Sequence, residues 1–173
     1  TPRLSSAASD VYKRQSLRRI LLSYMPGAAV TEVKIEGVAH EYGTIEGVKE
    51  DILDILLNLK DMAIKLDGSN EAELKLDIKT PKTILASDLE VPAGVEIIDP
   101  NHVIATLVEP KKLVMTLKVC TGVGYEPAEN NQNKGVDSLH LDAIYSPVKR
   151  VNYKVENTRV ENRTDLDLSL IHI

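Results

Sequence analysis

The chain has 173 residues, a formal net charge of −5 and 43% apolar residues, which is enough for one ordinary domain or two small ones with a buried core. It lacks Phe and Trp and has a single cysteine, Cys120, which excludes a disulfide framework within the chain and favours a reducing, cytoplasmic setting. The acidic balance argues against general nucleic-acid binding, and no apolar run approaches the roughly 20 residues of a membrane helix.

The first predicted element is a helix that ends before Pro26 and Gly27, a pair that typically stops a helix. Its apolar residues recur at the spacing of one helix face. They are Leu17, Ile20, Leu21 and Tyr24. Little sequence precedes this helix, so the local pattern does not show what covers the face. The adjacent Arg18 and Arg19 are either solvated cations beside a buried face or part of a subunit boundary, where arginine is enriched.

The next region predicts one strand and the clearest helix of the sequence. Alternating apolar residues predict a strand over 29–35, and an apolar stripe with helical spacing predicts a helix over 48–59. The stripe consists of Ile52, Ile55, Leu56 and Leu59. Glu50 and Asp51 are expected in the first turn and Lys60 at the end, an arrangement that the helix dipole favours.

The rest of the chain is predicted to be rich in strands because apolar residues alternate or β-branched residues cluster. Such patterns cover 62–66, 72–78, 103–108, 113–119 and 151–160. The polar segment 121–137 is predicted to be a loop, with a mobile tip at 130–135.

Local motifs for catalysis, metal binding and nucleotide binding are incomplete. The pair His40–Glu41 lacks the second histidine of a metalloprotease helix. His102 and His140 have no nearby cysteine or spaced carboxylate partner. In the segment GVGYEP, Pro127 stands where a dinucleotide-binding loop needs its third glycine. We therefore expect no catalytic residue, no metal and no cofactor.

The two ends of the chain are related at the level of DNA. The final hexapeptide, LSLIHI, can be encoded by CTG TCT CTT ATA CAC ATC, and the reverse complement of that DNA encodes DVYKRQ, which occupies 10–15. This DNA resembles the transposon-end adapter used to prepare sequencing libraries. We therefore expect 1–15 and 168–173 to be adapter-derived tails that do not belong to the native fold. The alternative is that both are ordinary tails.

Three blocks of the remaining sequence resemble the N-terminal domain of the bacterial RNA polymerase α subunit. They are LRRILLSYMPGAAVTEVKIEGVAHEY, TIEGVKEDILDILLNLK and YSPVKRVNYKVENTRVENRTDLD. Their order and spacing match that family, and the resemblance is weaker across 67–135.

The resemblance implies an α+β fold in two parts. A dimerisation subdomain is formed by the two chain ends, here 16–25 and 148–167, and a mostly antiparallel, β-rich subdomain is inserted between them at 26–147. In the family, the helix that matches the first predicted helix lies where two α copies meet. A second copy is therefore expected to cover part of the apolar stripe, giving a homodimer with an isologous contact.

The resemblance also implies a non-catalytic subunit, which dimerises and then recruits the β and β′ polymerase subunits that carry the active site. The positions that contact the β subunit in the family fall on Arg19, Leu22, Asp54, Lys60, Leu141 and Asp142. Arg19 and Lys60 match the residue type of the family, whereas the side chains at Asp54 and Leu141 can differ among members.

Parts of the family pattern are absent from this sequence. They are the strands and glycine-rich turn before the first helix, a further helix after TDLD, and a separate DNA-binding domain. We therefore expect no direct DNA binding and no membrane association, and we expect an exposed strand edge and apolar patch where the missing strands belong. An alternative from another class is a stand-alone small cytoplasmic enzyme with a site in the β-rich middle.

Overall fold

The computed structural model describes residues 6–38, 40–130, 138–160 and 163–172, with side chains given for 12–38, 40–129 and 138–154. Its elements, in chain order, are α1 (Ser6–Ser23), β1 (Pro26–Ile35), α2 (Ile52–Asp61), β2 (Ile64–Leu66), β3 (Glu71–Ile78), β4 (Lys82–Leu85), β5 (Val95–Ile97), β6 (Val103–Leu107), β7 (Leu113–Val123), β8 (Tyr125–Glu126), β9 (Leu139–His140), β10 (Ala143–Ile144), β11 (Asn152–Val160) and β12 (Arg163–His172). The predicted α+β class with mostly antiparallel strands is confirmed.

The main sheet is antiparallel and has the strand order β3-β7-β1-β2-β5, with β9 also paired to β1. The long pairing of β1 with β7 runs from Pro26 opposite Val123 to Ile35 opposite Met115. A register shift between Val30 and Glu32 leaves the intervening Thr31 without an opposite residue in the β7 ladder. The carbonyl oxygen of Thr31 instead accepts the main-chain N–H of Leu141, which holds the segment after β9 against β1.

The core is aliphatic, as the composition predicts, and lies between the main sheet and α2. Val33, Leu117 and Leu74 stand side by side on three neighbouring strands, and all three are fully buried. The predicted stripe of α2 is confirmed, since its four members are buried in the same core. The side-chain amide of Asn58 donates to the carbonyl oxygen of Ile104 at 3.0 Å, which fastens α2 to β6.

Helix α2 begins four residues later than predicted. Val48 forms a bridge with Leu107, and the N–H of Lys49 donates to the carbonyl oxygen of Thr106. The Glu50 carboxylate accepts the N–H of Thr106 at 2.6 Å. Residues 48–50 therefore lie beside β6 rather than in the helix, and the expected place of Glu50 in the first turn is wrong. Lys60 does occupy the last turn.

The predicted loop at 121–137 is wrong at its start. Strand β7 continues to Val123 because residues 121–123 pair with the beginning of β1. Strand β8 and a 3-10 turn at Ala128–Asn130 follow. The predicted mobile tip falls mainly on residues outside the described part of the chain.

The two chain ends have regular structure. Helix α1 begins at Ser6, and β11 pairs with β12 in a separate two-stranded sheet that extends to His172. Both elements therefore include residues that the sequence analysis assigns to adapter-derived tails, and that assignment stays a prediction. Within the described part of the chain, no helix has the length and apolar character needed to cross a membrane.

Candidate functional site

Lys60 and Asp142, two of the predicted contact residues, meet at the surface. Lys60 lies in the last turn of α2, and Asp142 immediately precedes β10. The Lys60 Nζ and Asp142 Oδ2 atoms are 3.7 Å apart, and both side chains are partly exposed. The fold therefore brings together two oppositely charged groups from distant parts of the chain. An exposed pair of this kind adds little stability, so its place on the surface is of more interest than its energy.

Three groups hold the Asp142 carboxylate in position. The main-chain N–H of Ala128 donates to Oδ1 at 3.0 Å. This hydrogen bond, followed by the Tyr125 hydroxyl and the Lys60 ammonium, lowers the pKa of Asp142 from its ordinary value. Asp142 therefore presents a fixed negative charge at neutral pH.

A groove of about 900 Å³ lies beside this ion pair. It runs between the end of α2, the start of β2 and the segment 144–149, and Lys60 forms part of its wall. Three of its lining side chains are apolar and more than half exposed, namely Leu57, Ile98 and Ile144. A second ion pair, Lys149 with Asp61 at 3.8 Å, lies on the same rim. An apolar floor with charged groups at the edge is the usual composition of a protein interface. We call the groove together with the Lys60–Asp142 pair the α2–β10 surface.

Leu141 does not contribute its side chain to this surface. It is 6% exposed and packs in the main core, because the bulge at Thr31 binds its main-chain N–H. Its contact with the β subunit stays a prediction, while its neighbour Asp142 lies at the surface.

The other predicted contact residues lie elsewhere. Arg19 is exposed and Leu22 is half-buried, both on α1, while Asp54 is exposed in the first turn of α2, at the opposite end from Lys60. In the described part of the chain, no ion pair or side-chain hydrogen bond joins Arg19 to the α2–β10 surface. Helix α1 ends close to this region, since the carbonyl oxygen of Ser23 packs against Gly124.

The predicted apolar stripe of α1 is largely uncovered in the single chain. Leu17 is 44% exposed, Ile20 51% and Tyr24 65%, while Leu21 is half-buried. Several exposed apolar side chains on one helix face are typical of a surface that another molecule covers.

A second, smaller concavity of about 330 Å³ lies near β9 and is lined in part by His40, Glu41, Glu129 and His140. The Nε2 atom of His140 is 3.5 Å from the Ser138 hydroxyl, and its buried Nδ1 atom has no hydrogen-bond partner among the described residues. Within those residues, no three His, Cys, Asp or Glu side chains are placed to share a metal ion.

Sequence reasoning gave no role to Tyr145, although it belongs to the quoted block that begins YSPV. Tyr145 is buried, and its hydroxyl donates to the Glu126 carboxylate at 2.8 Å. Burial, with the adjacent Glu126 charge, raises the pKa of Tyr145. No local pattern marks such a residue, because the contact joins β8 to the segment after β10.

The fold is thus an α+β domain with a mostly antiparallel sheet, and it carries a groove with apolar side chains and two ion pairs at its edge. Comparison with protein families matches 33–146 to the RNA polymerase Rpb3/RpoA insert domain. The match covers more than half of the chain, so the chain belongs to this family. It therefore contains a domain of the RNA polymerase α type, whose role is in the assembly of RNA polymerase.

Proposed function

We propose that the chain is part of the α subunit of a bacterial RNA polymerase, and that it acts in the cytoplasm as a non-catalytic scaffold. In this proposal it forms a homodimer and recruits the β and β′ subunits. The family match supports the general role. The α2–β10 surface and the exposed stripe of α1 support the more specific one.

The observation that carries the proposal is the meeting of Lys60 and Asp142 beside an apolar groove. Exposed Leu57 and Ile144 offer area that a partner can bury, and burial of apolar area drives association. The charged pair adds orientation, since charges at an interface select the arrangement of the partner. We propose that this surface receives a large polymerase subunit.

The second part of the proposal concerns α1. Leu17, Ile20 and Tyr24 are exposed in the single chain, and the same face on a second copy would cover them in an isologous contact. The exposed Arg19 on this helix can make bidentate, geometrically fixed contacts with a partner carboxylate. We propose that α1 serves both the homodimer and the contact with the β subunit.

The experiment compares two ion pairs of equal length in the same chain. The Lys60–Asp142 pair and the Lys112–Asp77 pair both have an N···O distance of 3.7 Å; the first pair is partly exposed and the second is about half exposed. Binding of the polymerase β and β′ subunits is measured for Lys60→Ala and Asp142→Ala, with Lys112→Ala and Asp77→Ala as matched controls.

We expect each variant of the first pair to weaken binding about tenfold, which corresponds to about 1.4 kcal/mol. The control variants should change it by less than about twofold, because rim and surface charges outside an interface contribute little. Equal effects of the two pairs on binding would remove the α2–β10 surface from the proposal.

A further inference from the structure

Tyr145 is held from several sides. Its ring lies against Gly122, where a Cβ atom would come within about 2.5 Å of a ring carbon. Its main-chain N–H donates to the carbonyl oxygen of Gly124 at 2.9 Å, and its hydroxyl donates to Glu126. On another side, a Cβ on Gly27 would overlap the Tyr145 carbonyl oxygen. Tyr145 therefore has little freedom to move relative to β7 and β8.

Asp142 depends on a short piece of structure for its position. Strands β8 and β10 pair through two residue pairs, Ala143 with Glu126 and Ile144 with Tyr125. Asp142 immediately precedes β10. Its carboxylate accepts a hydrogen bond from the main-chain N–H of Ala128, which lies two residues after the end of β8. So short an antiparallel ladder has little stability by itself, and the contacts of Tyr145 with Gly124 and Glu126 lie at its end.

We propose that Tyr145 is a positioning residue for the α2–β10 surface, and that its hydrogen bond to Glu126 holds the β8–β10 ladder so that Asp142 faces Lys60. The expected effect of Tyr145 on binding of the β and β′ subunits rests on the proposed function. The positioning itself is independent of any partner and can be measured in the chain alone.

The first measurement is the titration of the Asp142 carboxyl group in the full chain, observed through the ¹³C chemical shift of that group. The groups that face Asp142 are Lys60 from α2, the Tyr125 hydroxyl from β8 and the N–H of Ala128, with Glu129 acting on Tyr125. Tyr145→Phe leaves all of them in the chain and removes only the hydroxyl. We expect the pKa of Asp142 to rise towards its ordinary value in Tyr145→Phe. Tyr42→Phe, at a largely exposed tyrosine, should leave it unchanged.

The partner of the hydroxyl supplies an independent pair of variants. Glu126→Gln keeps an oxygen that accepts the Tyr145 hydrogen bond, so the titration of Asp142 should stay near that of the unchanged chain. Glu126→Met removes the acceptor at similar size and should reproduce the effect of Tyr145→Phe. If Tyr145→Phe fails to fold, this pair decides the question. A shift in the Glu126→Met variant but not in Glu126→Gln supports the inference.

The second measurement is binding of the β and β′ subunits. Loss of one hydrogen bond, at about 0.5–1.5 kcal/mol, corresponds to binding about two- to twelvefold weaker for Tyr145→Phe. A purely structural role would lower the melting temperature while the folded state kept the native titration of Asp142, and that result would overturn the inference. A shifted titration with unchanged binding would support the positioning and overturn the assembly role of this surface.

Discussion

The insert, residues 33–146 of the chain, and helix α1 differ in where their apolar side chains lie. In the insert, Val33, Leu74 and Leu117 are fully buried on adjacent strands. On α1, Leu17 and Ile20 are each about half exposed, although their spacing is that of a buried face. The insert thus satisfies its apolar residues within one chain, whereas α1 has an apolar face that the single chain leaves open. The contrast teaches that apolar residues at helical spacing predict a covered helix face. The spacing does not tell whether the same chain or another molecule covers it.

The largest expected effect tests this difference in packing by removing equal side-chain volume from the insert and from α1. Leu117→Ala should lower the free energy of unfolding by about 2–5 kcal/mol, because the core cannot fully collapse around the lost atoms. Ile20→Ala should change it by less than about 0.5 kcal/mol in the single chain, as is usual for exposed positions. Urea unfolding measures both, and similar losses of stability would show that α1 is packed within the chain.

A second prediction concerns self-association. Ile20→Asp places a charge on the exposed stripe and should weaken the proposed homodimer by about 2 kcal/mol, or about thirtyfold in the dissociation constant. Sedimentation at several concentrations measures this, with Tyr42→Asp as the control at an exposed position that does not belong to α1. A chain that is monomeric at every concentration before any change would refute the role given to α1.

A third prediction tests whether the insert is also tightly packed near the end of β7, where Gly122 lies against Tyr145. Gly122→Ala should destabilise the chain by about 1–3 kcal/mol, since the new methyl group would overlap the buried ring of Tyr145. The neighbouring Val123→Ala should have an effect within about 0.5 kcal/mol, because Val123 is exposed. Thermal unfolding of both variants tests this, and a neutral Gly122→Ala would mean that the ring moves freely.

The smallest expected effect is an acid-dependent one within the insert. The Lys82 ammonium, followed by the main-chain N–H of Leu85, lowers the pKa of Asp88 below its ordinary value of 3.8. The folded pKa lies below the unfolded one, so this stabilisation is complete above the unfolded value and is lost as pH falls through the folded value.

Asp88→Ala should therefore cost about 1 kcal/mol at pH 7 and flatten the fall in stability below about pH 4. Unfolding measured between pH 7 and pH 2 checks both effects, and Glu73→Ala, at an exposed position of β3, is the control. An unchanged acid dependence in Asp88→Ala would show that the hydrogen bonds of Asp88 do not stabilise the folded chain.

Local periodicity was sufficient to predict the parts of the fold that depend on one element at a time. The stripe of α2 and the alternation in β3 follow from single-element spacing, and both are present. The start of α2 was mispredicted because Val48 pairs with Leu107, and the end of β7 because its last residues pair with β1. These pairings join segments far apart in the sequence, which no local window contains.

In the candidate site, too, some features could be predicted from the sequence and others depend on contacts between distant segments. Lys60 and Asp142 were named from the family resemblance, and their proximity is a property of the folded chain. Leu141 lies in the core because a single extra residue at Thr31 redirects the ladder, and sequence spacing does not reveal such a bulge. The regular structure of α1 and β12 does not test the origin of 1–15 and 168–173, which the nucleotide sequence across these segments would decide.

The place where Gly27 lies against Tyr145 and Pro147 has a consequence for how the domain can vary in length. The segments just before and just after the matched domain, residues 33–146, are therefore neighbours in the folded chain. Because the two ends of the domain lie side by side, a change in the length of the chain between them can be accommodated without moving these ends apart.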